Sequence, residues 1–307
     1  MTTQVKEFFK ITALTNLHVG SGDQNYGIVD KLVQRDPLTQ FPIIHASSLK
    51  GALKNYCESY QTVLPNSQSE STENEEKTIE ELHHSFLRND IRNSFGDDDG
   101  FQGQDKYFSA HLFTIPVRSN CKPYYRATCP AILKEMVEFF LAFGFNLNSK
   151  LIEGLKELGQ LKFNSDTKFI VFEDPCDNCL IEEYELKENF EIKKESFADG
   201  LIEILKYDPL SINKKDFILV RDDVFMEICA NLPVVARNRV DKKTNLWYEE
   251  LVPRQAEFYF FYFGSEINSH AILEKIVINS NKGMPVQIGA NASVGYGYCK
   301  INKISKS

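Results

Sequence analysis

A carboxylate inside an extended run flanked by apolar residues is out of place by strand propensity. Asp30 is such a residue, set between Val29 and Lys31 in residues 28–33. Presented there, it can hold a metal ion or bond a ribose hydroxyl. The plainer alternative is a solvent-facing loop residue. His18 stands just before Gly20 and Gly22. An imidazole in such a loop can act as general acid or base, or contact phosphate; it can equally be a hydrogen-bonded loop residue. Glu249 and Glu250 form an adjacent acidic pair. Paired acids can hold Mg²⁺, end a strand in solvent, or partner nearby arginines.

Cations and flat rings gather just before that pair. Residues 235–254 contain Arg237, Arg239, Lys242, Lys243 and Arg254 against three acids, with Trp247 and Tyr248 among them. This mixture suits single strands or unstacked bases, or an ordinary exposed hairpin. Gly289, Gly295 and Gly297 could let backbone N–H groups approach phosphate, and a tight turn between strands explains them as well. Cys176 and Cys179 have the spacing of half a zinc site. No second pair lies nearby in the sequence, so this signal is weak.

The elements that must position these residues follow from periodicity. A strand is expected over 6–16, ending at the His18–Gly22 loop. Asp36-Pro37 marks a turn, and a second strand is expected over 41–45. Ser47 or Ser48 is expected to cap a helix that buries Leu49, Ala52, Leu53 and Tyr56 and leaves Lys50 and Lys54 on its other face. Residues 62–80 are polar and acidic, and a short helix is expected near 79–87. A strand follows over 108–117, then a helix opened by Pro130, an amphipathic segment over 151–158, a strand over 216–220 and a short helix over 224–229. Residues 234–250 read as a long β-hairpin with a basic tip. Residues 256–263 read as a strand buried on both faces. A strand, a glycine loop and another strand occupy 286–301. The pattern is α+β, with helices on one side of a sheet.

The chain has 307 residues, 42% hydrophobic and 25% charged, and a net charge of −8. It can bury a sizeable core, and a nucleic-acid partner would require positive charge concentrated on one face. Glutamates crowd instead into residues 70–81. The start lacks a signal peptide, and the longest apolar runs are far too short to span a bilayer. A soluble, cytoplasmic protein with no membrane partner is expected, its seven cysteines reduced and partly buried.

Five blocks occur in this order: LHVGSG, GIVDKLVQRDPLTQFPIIHASSLKGAL, FTIPVRS, LPVVARNRVDKKTNLWYEELVP and QIGANASVGYG. Together they resemble the RAMP superfamily of CRISPR-associated proteins, and within it the repeated backbone subunit of type III-B (Cmr) effector complexes. The resemblance implies a single domain over 1–307 with a ferredoxin-like (RRM-like) core, insertions at about 60–105 and 161–212, and a β-hairpin thumb at about 234–250. It implies guide crRNA, target RNA, further copies of the chain in a filament and other Cmr subunits as partners. It implies antiviral defense through endoribonuclease cleavage of target RNA at regular intervals, with a divalent metal, Mg²⁺ or Mn²⁺. The family's essential aspartate falls at Asp30, which would hold the metal. Its histidine matches His18, and its glutamate matches Glu249 or Glu250. Lys50, Lys54, Arg237, Arg239, Lys242, Lys243, Trp247, Gly289, Gly295 and Gly297 would lie on the RNA side. His45-Ala46 departs from the small pair that many relatives carry there. The alternatives are a non-catalytic RNA-binding scaffold and the type III-A (Csm) counterpart.

Overall fold

The computed structural model describes residues 4–22, 28–63, 88–145, 149–172, 175–185, 190–192, 216–239, 245–265, 273 and 285–304. The first half of the chain forms β1 (Gln4–Ala13), β2 (Ile43–Ile44), α1 (Ala46–Val63), β3 (Lys106–Tyr107), β4 (Ala110–Arg118), β5 (Tyr124–Thr128), α2 (Pro130–Ala142) and α3 (Ser149–Gly159). The second half forms β6 (Phe169–Val171), β7 (Leu180–Ile181), β8 (Tyr184–Glu185), β9 (Phe190–Ile192), β10 (Phe217–Val220), α4 (Asp222–Ala230), β11 (Val234–Arg239), β12 (Asn245–Glu250), β13 (Glu257–Ser265), β14 (Val286–Gln287) and β15 (Tyr298–Lys303). Residues 88–95 are also helical, whereas the helix expected near 79–87 lies outside the described residues.

Most strands join one large mixed sheet in the order β14-β15-β1-β13-β4-β5-β10-β6-β9, with β2 added to β4 and β3 to β13. β1 is antiparallel to both of its neighbours. Parallel pairing occurs between β5 and β10 and between β6 and β9. Parallel neighbours need a long crossover, and the connection from β5 to β10 carries α2 and α3. β11 and β12 pair only with each other, so the expected hairpin stands apart from the main sheet.

β13 explains why the sheet is covered on both faces. Successive strand residues point to opposite sides, and all six residues from Phe258 to Phe263 are buried. Phe261 packs on Phe8 of β1 and on Phe139, Phe140 and Phe143 at α2. Tyr262, on the other face, packs on Tyr107, and Lys50 of α1 reaches over the Tyr107 ring. Helices therefore lie against both faces of the central strands, not on one side as the element pattern suggested. A strand that is apolar on both faces requires this.

The core also holds an ion cluster. Glu257 and Lys10 are both fully buried and 2.9 Å apart, and Arg126 Nη1 lies 2.8 Å from the same carboxylate. Thr114 Oγ1 donates to the other oxygen at 3.0 Å. One carboxylate on β13 thus compensates two cations, Lys10 on the adjacent β1 and Arg126 on β5 beyond β4. No helix among the described residues is long and apolar enough to cross a membrane.

Removing Glu257 would take the shared counter-charge from two buried cations. Glu257→Ala should therefore lower unfolding free energy by about 3–5 kcal/mol. Lys54→Ala removes only wide, exposed contacts to Glu58 and Asp98 and should cost less than about 1 kcal/mol. Urea unfolding of the two variants compares them directly. Equal losses would mean that Glu257 does not hold the cluster together.

Candidate functional site

Two consecutive acids at the end of β12 organise the site. Glu249 is fully buried. Its Oε1 accepts from Lys31 Nζ at 3.0 Å and from Trp247 Nε1 at 2.8 Å. Its Oε2 accepts from Asn291 Nδ2 at 2.9 Å and lies 2.5 Å from Arg237 Nε. The Arg237 contact is an ion pair without hydrogen-bond alignment, since Arg237 Nε and Nη2 have no hydrogen-bond partner. Burial raises the Glu249 pKa, but the bonds from Trp247 and Lys31 and the charge of Arg237 outweigh it, and the carboxyl is held below its ordinary value. Glu250, one residue on, faces the other way. It pairs with Arg35 Nη2 and accepts from the Val33 N–H at 3.0 Å. Arg35 also donates to the carbonyls of Gln40 and Cys229.

These contacts fix residues 31–35 against the hairpin, and Asp30 stands at the start of that strip. The Asp30 and Lys31 amides both donate to the Tyr248 carbonyl at 3.1 Å. Asp30 Oδ2 accepts from the Tyr248 N–H at 2.7 Å. Asp30 is exposed, and among the described residues its Oδ1 has no hydrogen-bond partner. It is thus a solvent-facing carboxylate on a fixed backbone, at the root of a hairpin.

His18 is buried. Its Nδ1 lies 2.7 Å from the Glu250 carbonyl oxygen. A carbonyl can only accept, so Nδ1 carries the proton and Nε2 is left for other work. Nε2 lies against Gly20, 3.4 Å from where a Cβ would stand. The His18 carbonyl accepts from the Ala290 N–H at 2.9 Å and presses on Gly289, where a Cβ would meet that oxygen at 2.4 Å.

A groove of about 720 Å³ opens between α1 and the two glycine loops. Ser47, Gly51, Asn55 and Ser59 line its helical wall, with Gly20 and Gly289 opposite. Those four helical residues recur every fourth position and so form one stripe. Gln34 joins the walls: its Nε2 donates to the Gly20 carbonyl and to Ser48 Oγ, and its Oε1 accepts from the His45 N–H. The helix begins at Ala46, ahead of the expected Ser47 or Ser48 cap. The orphan amides at its start are satisfied from a distance, His45 by Gln34 and Ala46 by Ser109 Oγ.

Several expected residues sit elsewhere or are already engaged. Lys50 and Lys54 lie off the groove stripe, toward Tyr107 and toward Glu58 and Asp98. Arg237 is held between Glu249 and the Tyr296 ring. Trp247 stacks under Lys31 at 5.1 Å. Arg239 ends β11 opposite Asn245. Lys242 and Lys243 lie outside the described residues. Gly289, Gly295 and Gly297 all have positive φ; a Cβ at Gly297 would meet the Ile288 carbonyl oxygen at 2.1 Å, whereas at Gly295 it would meet nothing within 4 Å. Sequence reasoning missed Lys31, Gln34, Arg35 and Asn291. For Gln34 and Arg35, the one available signal was their place directly before the Asp36-Pro37 turn.

The acids differ in what they can offer a cation. Both oxygens of Glu249 and of Glu250 are taken, so Asp30 Oδ1 is the free carboxylate oxygen here. One carboxylate fits Mg²⁺ or Mn²⁺ only if water and substrate phosphate complete the sphere, which is a common way to bind Mg²⁺.

A family model described as the RAMP superfamily matches residues 10–300. The chain is 26% identical over 302 residues to a protein of Pyrococcus furiosus named CRISPR system Cmr endoribonuclease Cmr4, covering 94% of this chain and 92% of that one. It resembles a chain in a type III-B Cmr-beta structure bound to cognate target RNA, with TM-score 0.68 and 22% identity over 98% of this chain and 97% of that one. It also resembles a structure of oligomeric Cmr4 from Pyrococcus furiosus, with TM-score 0.66 and 21% identity, covering 98% of both chains.

The lowered pKa of Glu249 has a pH signature. Its contribution to stability is complete above the unfolded value of 4.5 and is lost as pH falls through the lower folded value. Urea unfolding repeated at falling pH should show wild type losing a component of stability below pH 4.5 that Glu249→Gln lacks. Parallel acid profiles for the two proteins would contradict the four-partner clamp.

Proposed function

The chain belongs to the RAMP superfamily, and from that premise we propose that it is the guide-RNA-holding backbone subunit of a type III-B CRISPR (Cmr) effector complex and cuts complementary target RNA. The near full-length likeness to Cmr4 supports this reading. In it, the sheet, α1 and α2 belong to a ferredoxin-like core, and copies of the chain stack along the guide with other Cmr subunits at the ends of the filament.

The guide runs through the groove between α1 and the glycine loops. Small residues at Ser47, Gly51 and Ser59 let a sugar–phosphate backbone approach, and backbone amides and hydroxyls can bond it without regard to sequence. Sequence is read by base pairing between guide and target, as in RNA-guided DNA effectors. A net-negative chain can do this because only one face needs to accept phosphate.

The hairpin of β11 and β12 is the thumb that separates one target nucleotide from its neighbours. Its exposed Leu246 and Tyr248 offer apolar and aromatic surface to an unstacked base. Asp30 is at the thumb's root, and its solvent-facing carboxylate carries the catalytic assignment. With the nucleotide displaced, the 2′-hydroxyl oxygen forms a bond to the adjacent phosphorus and the P–O5′ bond breaks. Asp30 takes the 2′-hydroxyl proton, and solvent protonates the leaving oxygen. Holding the two groups in line supplies much of the acceleration. Alternatively the one free oxygen of Asp30 would hold a Mg²⁺ or Mn²⁺ ion, which would supply charge neutralisation at the phosphate, and the 2′-hydroxyl proton would then pass to solvent. Glu249, Glu250 and His18 act as positioning residues that fix the strip carrying Asp30.

Two variants test the halves of this reading. Asp30→Asn in a complex assembled on guide RNA should slow target cleavage by about 100-fold or more, the usual worth of a general base, with target binding unchanged. Cleavage at the wild-type rate would make the chain a scaffold only. Gly51→Leu places a side chain where an added Cβ meets nothing within 4 Å, and leucine is a better helix former than glycine. It should leave thermal stability intact yet weaken guide retention on the order of tenfold, about 1.4 kcal/mol. Unchanged retention would move the guide out of this groove.

A further inference from the structure

Away from the groove and the thumb, three cysteines converge. Cys121 follows β4, and Cys176 and Cys179 precede β7, 55 residues after Cys121 in the case of Cys176. The three Sγ atoms lie within 4.8 Å of one another. Sulfurs bound to one tetrahedral zinc at about 2.3 Å stand roughly 3.8 Å apart, so small side-chain adjustments bring them into place. Cys121 and Cys176 are joined as a disulfide, which uses two of the three sulfurs and gives Cys179 no role. Cys179 is buried and stays a thiol beside Ser119 Oγ at 3.7 Å.

The surrounding loops are held together without any bond between sulfurs. Asn120 accepts from the Leu180 N–H at 2.7 Å and donates to the Asn178 carbonyl at 2.9 Å. Asn178 has φ 54°, a left-handed turn that brings Cys176 and Cys179 to the same side. Ser119 bridges to Ile181, and Arg118 holds Glu182 through Nε and Nη2. The other free cysteines, Cys57, Cys129, Cys229 and Cys299, are buried and are not part of this cluster. Burial pushes the Cys57 and Cys299 thiols up to about 12, as expected of packing residues.

We propose that Cys121, Cys176 and Cys179 form a thiolate site for Zn²⁺ or a similar borderline-soft cation. Solvent water takes the fourth position, on the side where Cys176 is exposed. Reduction of the Cys121–Cys176 bond by a thiol or phosphine reductant, with two electrons and two protons, yields three thiols. Binding then releases their three protons to solvent. The ion staples residues 175–181 to the end of β4 wherever a disulfide would not persist. Sequence spacing concealed this site, because the third sulfur comes from a distant loop.

The test uses the full chain, reduced with a phosphine and reloaded with Co²⁺. Wild type should bind about one ion per chain with a near-ultraviolet sulfur-to-cobalt band and visible bands of four-coordinate cobalt, bleached by Zn²⁺. Cys179→Ser should lose the ion yet still form the Cys121–Cys176 disulfide on oxidation, seen as loss of two hydrogens in the intact mass, which shows that the loops are in place. Cys299→Ser should bind as wild type does. The absence of a thiolate band in wild type, or binding that survives Cys179→Ser, overturns the proposal.

Discussion

The site depends on one buried carboxylate. Glu249 collects Lys31 from the strip that carries Asp30, Trp247 and Arg237 from the hairpin, and Asn291 from the glycine loop. Three segments far apart in the chain meet on two oxygens. A buried charge of this kind is costly unless it is paired and its lone pairs are satisfied, and here four partners satisfy it. Its neighbour Glu250 does the same work on the opposite face through Arg35 and the Val33 amide. Adjacent residues on one strand thus grip both sides of a single strip. That is why two acids stand together at the end of β12.

The clamp separates the acids whose oxygens are occupied from the one whose oxygen is open. An acid that already receives two cations and two further hydrogen bonds has no lone pair in the right place for a metal or a proton in flight. Asp30 is anchored by backbone bonds to Tyr248 and by one of its own oxygens, which leaves the other oxygen open on an exposed surface. The buried acids fix the strip, and the exposed one keeps an open oxygen. Arg237 of the hairpin is likewise drawn inward to Glu249, and the groove is lined by small residues, hydroxyls and amides more than by long cations. A net charge of −8 is compatible with such a surface, since contact made by shape and neutral donors does not depend on a large positive field.

How much of this was legible follows from what kind of interaction each residue makes. Phe258 to Phe263 could be read as a doubly buried strand because apolar residues on both faces leave no other option, and the hairpin could be read because its turn residues are local. Asp30 stood out because it violates strand propensity, and the structure places it as an exposed carboxylate anchored to Tyr248. The start of α1 was misplaced because its caps are Gln34 and Ser109, which are remote in sequence. Arg237 and Trp247 were read as free surface, but they turn inward to an acid that no local rule connects to them. The same holds for Cys121, which completes a cluster with Cys176 and Cys179 from a loop 55 residues away in the chain. Local rules find residues that are odd where they stand. They do not find ordinary residues made important by tertiary partners.

His18 shows why the glycines around it cannot be judged one at a time. Its ring is fixed to the Glu250 carbonyl, and its own carbonyl receives Ala290 while pressing on Gly289. A side chain at Gly289 would push His18 away from β12 and disturb the clamp from behind, whereas Gly295, equally left-handed, meets nothing. The three glycines of one loop therefore carry different constraints. Gly289 protects the approach between the loop and His18, Gly297 protects the turn into β15, and Gly295 satisfies only its own backbone. Gly289 lines the groove and touches His18, so the groove wall and the interaction that holds Asp30 are parts of one packed unit.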